Sequence, residues 1–262
     1  MFSFGKNWKN FLQTLNEERI NTAKKSLVDF LRLENLNGKT FLDIGSGSGL
    51  FSLVAKKLGA QKIVSIDVDP FSVACTKYLC EQAGKDSNWL IYENSVLNEE
   101  FMGGLGKFDV VYAWGSLHHT GNMWQAIERA AQHVKGGGLF QLAIYNRVDE
   151  RWGSKFWLNL KKRYNNSPII IKCLIEIGYM SKLIAYYIIR GRNPIGVVKD
   201  FKRKRGMSWR HDIIDWLGGY PYEFATVEEI FLFMKKKFPD FKLENIKTTN
   251  GLGNNQFLFK RD

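Results

Sequence analysis

The stretch Phe41-Leu42-Asp43-Ile44-Gly45-Ser46-Gly47-Ser48-Gly49 determines how this 262-residue chain folds. An apolar run ends in glycines at alternate positions, and residues 50–58 then follow a helical pattern. Glycine permits a sharp turn and brings the backbone close to a ligand at the carboxyl end of a strand. The spacing is G-x-G-x-G, which differs from the G-x-G-x-x-G of dinucleotide sites. It predicts a strand, a ligand-binding loop and a helix.

A second apolar run, residues 62–66, ends in the acid Asp67. In Rossmann-type sites, an acid at the end of the second strand accepts hydrogen bonds from ribose hydroxyls. A carboxylate suits this role because each of its oxygens can accept a hydrogen bond. Asp69 stands beside Pro70 and is predicted to cap the next helix instead. The two runs together predict a site for a ligand that carries a ribose.

The rest of the chain continues the alternation of strands and helices. Strands are predicted at 89–92, 108–113 and 139–145, and helices at 70–83 and 123–134. Such alternation favours a parallel sheet covered on both faces. A capping box at Thr226 and Glu229 predicts a helix over 226–237, followed by strands at 241–247 and 256–260. We therefore predict four parts: an N-terminal helical cap in residues 1–37, a core in 38–146, a basic, aromatic helical lid in 147–224, and a helix with two strands in 225–262.

Over residues 38–146 the chain resembles the class I S-adenosylmethionine (AdoMet)-dependent methyltransferases. The resemblance is carried by the glycine loop, SIDVDP at 65–70, Asn94-Ser95-Val96-Leu97, and FDVVYAWGSLHHTG at 108–121. It implies an α/β, Rossmann-like sheet of seven mostly parallel strands whose last strand is antiparallel, with AdoMet as cofactor. The segments FGKNW at 4–8 and DWLGGYPYE at 215–223 are similar to a bacterial subgroup related to quinone-pathway methyltransferases, for which no acceptor is settled.

The same resemblance implies a set of cofactor-binding residues. The glycine loop would line the methionine portion of AdoMet, and Asp67 would hold the ribose. The residues that follow the third strand would lie at the adenine edge, and those at the end of strand four would lie beside the sulfonium. The residues are Asp43, Gly45, Ser46, Gly47, Gly49, Asp67, Val68, Ser95, Val96, Trp114 and Gly115. Where the family usually has Gly-Asp, this chain has Asn94-Ser95, so the contact with the adenine amino group differs here.

Two adjacent histidines, His118 and His119, follow strand four on the loop that faces the ligand crevice of an open α/β sheet. Histidine is the common general base because its pKa lies near the working pH. A base is needed when the acceptor is an alcohol, and His211 is a further candidate. In the alternative interpretation, one ring packs or caps the helix that begins near Gly121 and only the other faces the pocket.

The segment 215–223 combines two glycines with Tyr-Pro-Tyr, which predicts a shaped loop with aromatic walls. We interpret Asp215, Tyr220 and Tyr222 as part of an acceptor pocket, together with Trp8 and Tyr145. The alternative is a structural loop that seals the edge of the sheet.

Several absences narrow the chemistry. The loop after strand four is Ala113-Trp114-Gly115-Ser116, which lacks the Asp/Asn-Pro-Pro-aromatic element of enzymes that methylate nucleobase amines. No cysteine lies near this loop, which argues against an RNA cytosine mechanism with a cysteine nucleophile. No Asp/Asn cluster follows strand four, which argues against a magnesium-dependent catechol-type mechanism. The sequence thus predicts methyl transfer to a small molecule, with oxygen as the favoured nucleophile. Thiol or amine methylation, an RNA methyltransferase and a non-catalytic AdoMet-binding subunit are the alternatives.

The net charge of +12 is concentrated in one segment. Residues 151–210 hold 15 Lys/Arg and two acids, a charge of +13, which leaves −1 for the rest. Such a block attracts anions, nucleic acid or anionic lipid, or is a solvated surface. We predict an anionic acceptor, with nucleic acid less favoured. Residues 168–189 are apolar but interrupted by charges, which favours a cap helix over an interfacial helix in peripheral contact with a membrane. Three cysteines and no secretory pattern favour the cytoplasm.

Overall fold

The computed structural model describes residues 5–12, 14–85, 87–205 and 209–262, without the side chains of residues 6, 7, 9, 10, 200, 202–205 and 211. The predicted base His211 is among these side chains and lies outside the description. The helices are α1 Gly5–Leu12, α2 Glu17–Leu31, α3 Leu50–Lys57, α4 Pro70–Gln82, α5 Glu99–Gly103, α6 Met123–Gln132, α7 Ser154–Asn166, α8 Ile169–Ile189, α9 Pro194–Arg205, α10 Trp209–Gly218 and α11 Val227–Lys237.

The strands form one seven-stranded sheet in the order β3-β2-β1-β4-β5-β7-β6. Their bounds are β1 Thr40–Ile44, β2 Lys62–Asp67, β3 Trp89–Glu93, β4 Phe108–Trp114, β5 Val134–Tyr145, β6 Phe241–Lys247 and β7 Asn254–Arg261. Strands β1 to β5 are parallel, and β7 runs antiparallel between β5 and β6. This confirms the predicted Rossmann-like α/β fold. The strand order reverses between β1 and β4, and their carboxyl ends form the crevice where such sheets bind ligands.

Apolar side chains on both faces of the central strands hold the layers together. Leu42 and Ile44 of β1 pack toward the α6 side, whereas Phe41 packs toward α2 and α3. All three are at most 2% exposed, as expected of a parallel strand buried on both faces. The rigid β1 therefore fixes the position of the glycine loop that follows it.

Several boundaries differ from the sequence prediction. The N-terminal region is two helices, because Asn16 starts α2 by accepting a hydrogen bond from the Arg19 N–H. Helix α5 was not predicted. The caps of α4 and α11 are as predicted: Asp69 accepts from the Phe71 N–H, and Thr226 and Glu229 form a capping box.

The predicted insert after β5 is helical and consists of α7 to α10. It has its own apolar cluster, in which Trp157, Tyr164, Ile213, Leu217 and Tyr222 are buried. This cluster packs against Tyr145 at the end of β5. None of the described helices combines the length and hydropathy needed to cross a membrane.

Candidate active site

The glycine loop turns because its glycines adopt a backbone conformation that other residues avoid. Gly45 and Gly47 have φ values of 76° and 55°. A Cβ on Gly45 would collide with Ser116, whose hydroxyl donates a hydrogen bond of 2.6 Å to the Ile44 carbonyl. The absence of a side chain at Gly45 thus lets the loops after β1 and β4 meet at the crevice.

Asp67 connects the glycine loop to the end of β2. One carboxylate oxygen accepts the Gly47 N–H at 2.9 Å, and the other accepts the Asp69 N–H at 2.9 Å. Burial raises the pKa of Asp67, while these backbone hydrogen bonds act in the opposite direction. Each oxygen retains a further lone pair. The carboxylate is therefore held in place before a ligand arrives, and it can accept hydrogen bonds from hydroxyls.

Asp43 is a buried acid on the floor of the same cavity. Its carboxylate accepts a 2.5 Å hydrogen bond from the Ser52 hydroxyl. Ser65 lies 2.7 Å from that hydroxyl and accepts the indole N–H of Trp89 at 2.8 Å. Burial raises the pKa of Asp43 to about 7. The group therefore changes charge near neutral pH and can respond to a cation bound in the cavity.

One cavity of about 610 Å³ runs along the crevice. All eleven predicted cofactor-binding residues except Gly49 line it, together with Trp8, Phe11, His119 and Tyr145. Gly49 instead immediately precedes α3, with its backbone close to Thr76. The Asn94 side chain accepts the Ser95 N–H at 2.9 Å. The cavity thus joins the predicted cofactor residues to a histidine in a single space.

Helix α1 closes one side of the cavity. The Gly5 N–H donates to Asp69 at 3.1 Å, which fastens α1 to the start of α4. A Cβ on Gly5 would lie 2.6 Å from the Cβ of Phe71, so this contact requires glycine. Trp8 then lies over Gly47, with its indole nitrogen 3.0 Å from where a Cβ would be. Trp8, which we predicted to line the acceptor pocket, therefore contacts the glycine loop.

The two histidines occupy different environments on the 3₁₀ turn Leu117–His119. His118 is fully buried, its ring centroid is 4.1 Å from that of Tyr145, and it does not line the cavity. Burial, reinforced by His119, lowers the pKa of His118 well below its usual value. This position matches the alternative interpretation of the sequence, in which one histidine ring packs and only the other faces the pocket.

His119 is half-buried and lines the cavity. Its Nδ1 lies 2.6 Å from the Pro221 carbonyl oxygen. Because a carbonyl can only accept, Nδ1 carries the hydrogen and Nε2 carries the lone pair. Burial lowers the pKa of His119 to about 4, with the nearby Lys161 acting in the same direction. The ring is thus neutral at pH 7 and has one nitrogen able to take up a proton.

The segment 215–223 supports the histidine turn from behind. Its Glu223 N–H donates to the His118 carbonyl at 3.0 Å, and the Glu223 carboxylate accepts the Met123 N–H at 3.1 Å. Asp215, Tyr220 and Tyr222 do not line the cavity, in contrast to the expectation for an acceptor pocket. The observed contacts match the alternative of a loop that seals the sheet edge.

The described part of the helical insert also lies behind the cavity. None of its described residues lines the cavity, although we expected a lid there. Lys161 is the insert's contribution that the sequence did not suggest, because it lies in a Lys-Lys-Arg run that resembles a solvated helix face. Its ammonium is buried, donates to the Trp216 carbonyl, and lies 4.1 Å and 4.9 Å from the ring centroids of Trp216 and Tyr222. Burial lowers its pKa to about 7.

Comparison with known proteins points to one family. Residues 42–140 match the family model described as a methyltransferase domain. The chain is 32% identical over 120 residues to a ubiquinone biosynthesis O-methyltransferase of Methylobacterium sp. (strain 4-46), covering 46% of each chain. It is 37% identical over 65 residues to a ribosomal protein L11 methyltransferase of Vibrio parahaemolyticus, which covers 25% of this chain and 22% of that protein.

The fold is similar to that of solved methyltransferases. Magnesium protoporphyrin IX methyltransferase from Synechocystis PCC 6803, solved with S-adenosylhomocysteine (SAH), aligns with a TM-score of 0.52 at 14% identity, covering 94% of this chain and 83% of that one. The chain spans less than half the length of the two curated relatives described above.

Proposed function

We propose that this chain, which belongs to the class I AdoMet-dependent methyltransferases, transfers a methyl group to an oxygen atom of a small-molecule acceptor. The observation that carries the proposal is the single cavity that contains both the Asp67 loop and His119. A cofactor and an acceptor bound in one cavity can be aligned, and alignment of this kind supplies about 7–11 kcal/mol of a reaction barrier.

The cofactor end fits AdoMet through its chemistry. AdoMet supplies a methyl group on an activated sulfonium, which a nucleophile displaces in line. Asp67 would accept hydrogen bonds from the ribose hydroxyls, and the half-exposed Val68 would contact the adenine. Asp43 would be the counter-charge for the positively charged methionine portion, because its pKa of about 7 allows it to ionise there.

The acceptor end fits a hydroxyl that needs a base. His119 is neutral at pH 7, and Nε2 carries the lone pair because Nδ1–H donates to Pro221. It would take the proton from the acceptor hydroxyl as the oxygen attacks. Tyr145, which also lines the cavity, would contact the acceptor. A thiol or amine acceptor would depend less on His119, which makes the histidine a test of the nucleophile.

The cavity favours a neutral acceptor over the anionic acceptor predicted from the net charge. Among the described residues that line it, Asp43, Asp67 and Asp69 are acidic, and none is Lys or Arg. The basic residues of the insert whose side chains the structure describes therefore do not line the cavity. The same observation gives no support to an RNA acceptor, whose phosphates need cations along their path.

The experiment is methyl transfer from labelled AdoMet into a small-molecule extract of bacterial cells, with RNA and protein fractions assayed in parallel. We expect label in the small-molecule fraction, in a product heavier by one methylene whose methyl group is bound to oxygen by mass spectrometry and NMR. His119→Ala should lose this transfer while it still binds SAH in calorimetry. Label that appears in the RNA or protein fraction alone would contradict the proposal.

A further inference from the structure

The loop between β6 and β7 is rich in turn-forming residues, and a pair of asparagines fixes it against the end of β5. The Asn146 amide donates to the carbonyls of Thr249 and Gly251, at 3.0 Å and 3.1 Å. Asn255 donates to the Asn146 side chain at 2.9 Å and accepts the Thr249 N–H at 3.0 Å. These hydrogen bonds hold the backbone of Asn254, the residue that follows the loop, in a defined position.

Asn254 places an amide group in the wall of the cavity. It begins β7 and lies directly opposite Tyr145 in the antiparallel pair, so the two side chains are on the same face of the sheet. Both residues line the cavity. The Asn254 Nδ2 lies 3.7 Å from the position that a Cβ would take on Gly115. Because Gly115 has no side chain, the amide is left uncovered on that side.

The amide of Asn254 contains an unsatisfied polar atom. Its Oδ1 is buried and accepts no hydrogen bond from any residue that the structure describes. Two other polar side chains of the cavity are paired within the protein. The Ser116 hydroxyl donates to the Ile44 carbonyl at 2.6 Å, and the Thr120 hydroxyl donates to the Leu117 carbonyl at 2.8 Å. Most buried polar atoms have such partners, so an unpaired amide in a ligand cavity indicates a group that a ligand completes.

We infer that Asn254 determines acceptor specificity by hydrogen bonding to a second hydroxyl group of the acceptor, distinct from the one that is methylated, which presupposes the methyl transfer proposed above. The Tyr145 ring centroid lies 5.6 Å from that of His119, and Asn254 is the cross-strand partner of Tyr145. The base and the amide therefore lie on either side of one side chain, a spacing that two polar groups of a small molecule can span.

A hydroxyl is the group that an amide in this cavity fits best. It can accept a hydrogen bond from Nδ2 and donate one to Oδ1, so either atom of the Asn254 amide can bind it. An amide also forms these bonds without charge, in agreement with a cavity that has no Lys or Arg among its described lining residues. An acceptor with a single hydroxyl would leave the amide unpaired, and a site of this kind discriminates against such a molecule.

The test is the rate of methyl transfer as a function of the concentration of the small-molecule extract of bacterial cells. Asn254→Leu should raise the apparent KM for the extract roughly three- to tenfold, the equivalent of one neutral hydrogen bond. The kcat should stay nearly unchanged, because the contact is the same in the ground state and the transition state. Asn254→Asp keeps an oxygen that can accept from a hydroxyl, so it should restore part of the loss. Asn250→Leu is the matched control and should keep the wild-type KM, since Asn250 is exposed in the same loop and does not line the cavity.

Two further measurements separate this role from others. NMR of the methylated product should show a free hydroxyl group besides the new methoxy group, and SAH affinity by calorimetry should be equal in the wild type and Asn254→Leu. A product without that hydroxyl, or an unchanged KM in Asn254→Leu, would overturn the inference and leave small-molecule methylation intact. A loss of SAH affinity that matches the rise in KM would also overturn it, because the amide would then contact the cofactor. If the wild type labels no small molecule, the proposed function fails, and the role of Asn254 fails with it.

Discussion

The two ends of the cavity are built in different ways. At the end that contains Asp67, the groups come from consecutive elements, β1 to β2, and backbone N–H groups position the acid. At the end that contains His119, the lining groups come from β4, the turn after it, β5 and β7, and the insert and the segment before α11 support them from behind. The bond between His119 and Pro221, for example, spans 102 residues of sequence. The first end is fixed by local backbone geometry, and the second depends on the packing of distant segments.

The two ends also differ in how they hold charge. Burial lowers the pKa of His118, His119 and Lys161, so burial disfavours the cationic form of each. Such groups cost free energy to bury and are concentrated at functional sites. At the other end burial likewise raises the pKa of Asp67, but two backbone N–H donors oppose that shift. We therefore expect substitutions at the His119 end to change rate and pH dependence, and substitutions at the Asp67 end to change cofactor affinity.

The largest effect is expected for His119→Ala. Loss of a general base lowers kcat by about 10²–10⁴-fold. SAH affinity should stay near the wild-type value, since Asp67 ends β2 and His119 follows β4, with β1 between these strands in the sheet. Single-turnover kinetics and calorimetry on the same preparation measure the two quantities.

The control for this substitution is His133→Ala. The His133 ring lies outside the cavity and contacts the Gly106 carbonyl at 2.6 Å, so its loss should leave kcat nearly unchanged. A His119→Ala enzyme that turns over normally would remove the base from the mechanism. It would then favour a thiol or another acceptor that ionises by itself.

The same contrast explains what the sequence could predict. Short patterns in the sequence predict the succession of strands β1 to β5 along the chain, the turn at Gly45 and the acid Asp67. The structure contains all three features. The roles of Asp215, Tyr220 and Tyr222 could not be read in this way. Tyr222 has its ring centroid 5.1 Å from that of Tyr145, 77 residues earlier, and that contact decides that Tyr222 lies behind the cavity.

Lys161 shows the same limit from the other side. Nothing in the run Lys161-Lys162-Arg163 indicates which side chain is buried. The helix turns Lys161 toward Trp216 and Tyr222, whereas Lys162 and Arg163 are exposed. Burial of a cation therefore depends on the rotation of α7 in the assembled insert, which is a tertiary property.

The second largest effect is expected for Asp67→Ala. Loss of a charge-assisted hydrogen bond should cost about 1.5–3 kcal/mol of AdoMet affinity. Because Asp67 also holds the Gly47 N–H, Asp67→Asn should be milder, as its amide oxygen can still accept one hydrogen bond. Calorimetric titration with SAH measures both variants. Unchanged affinity in a folded Asp67→Ala protein would exclude Asp67 from the cofactor site.

A smaller effect of defined sign is expected for Asp43→Asn. Burial raises the pKa of Asp43 from 3.8 to about 7, so the folded state favours the neutral form. The contribution of this group to the free energy of unfolding is therefore lost as pH rises from about 3.8 to about 7. Asn resembles the neutral form, so above pH 7 the ligand-free variant should be more stable, on the order of 1–3 kcal/mol. Denaturant unfolding at several pH values measures this difference.

Asp109 is a control for Asp43, because its pKa is shifted in the opposite direction. Although partial burial acts against it, hydrogen bonds from Lys135 and Thr40 lower the pKa of Asp109 to about 2. Its stabilising contribution is present above pH 3.8, the pKa of an unperturbed Asp, and is lost as the pH falls toward 2. Asp109→Asn should thus be less stable than the wild type at neutral pH. If both Asn variants shift stability in the same direction, the difference between the two acids is not one of charge.

The smallest effect is expected for Lys161→Met, and it tests the coupling between the insert and the base. Burial is the main cause of the low pKa of His119, and Lys161 contributes to it. A protonated His119 cannot accept a proton, so kcat/KM should fall only as pH approaches about 4 in the wild type. Without Lys161 the acid limb of the pH profile should move to higher pH, by about one unit or less for one partly screened charge.

The substitution should not destabilise the fold. Met matches the volume of Lys, and replacing a buried ion in this way is often neutral or stabilising. The free energy of unfolding should therefore be kept while the profile shifts. Lys161→Arg keeps the charge and should keep the acid limb in place. An identical pH profile in the wild type and Lys161→Met would show that the insert supports His119 through packing alone.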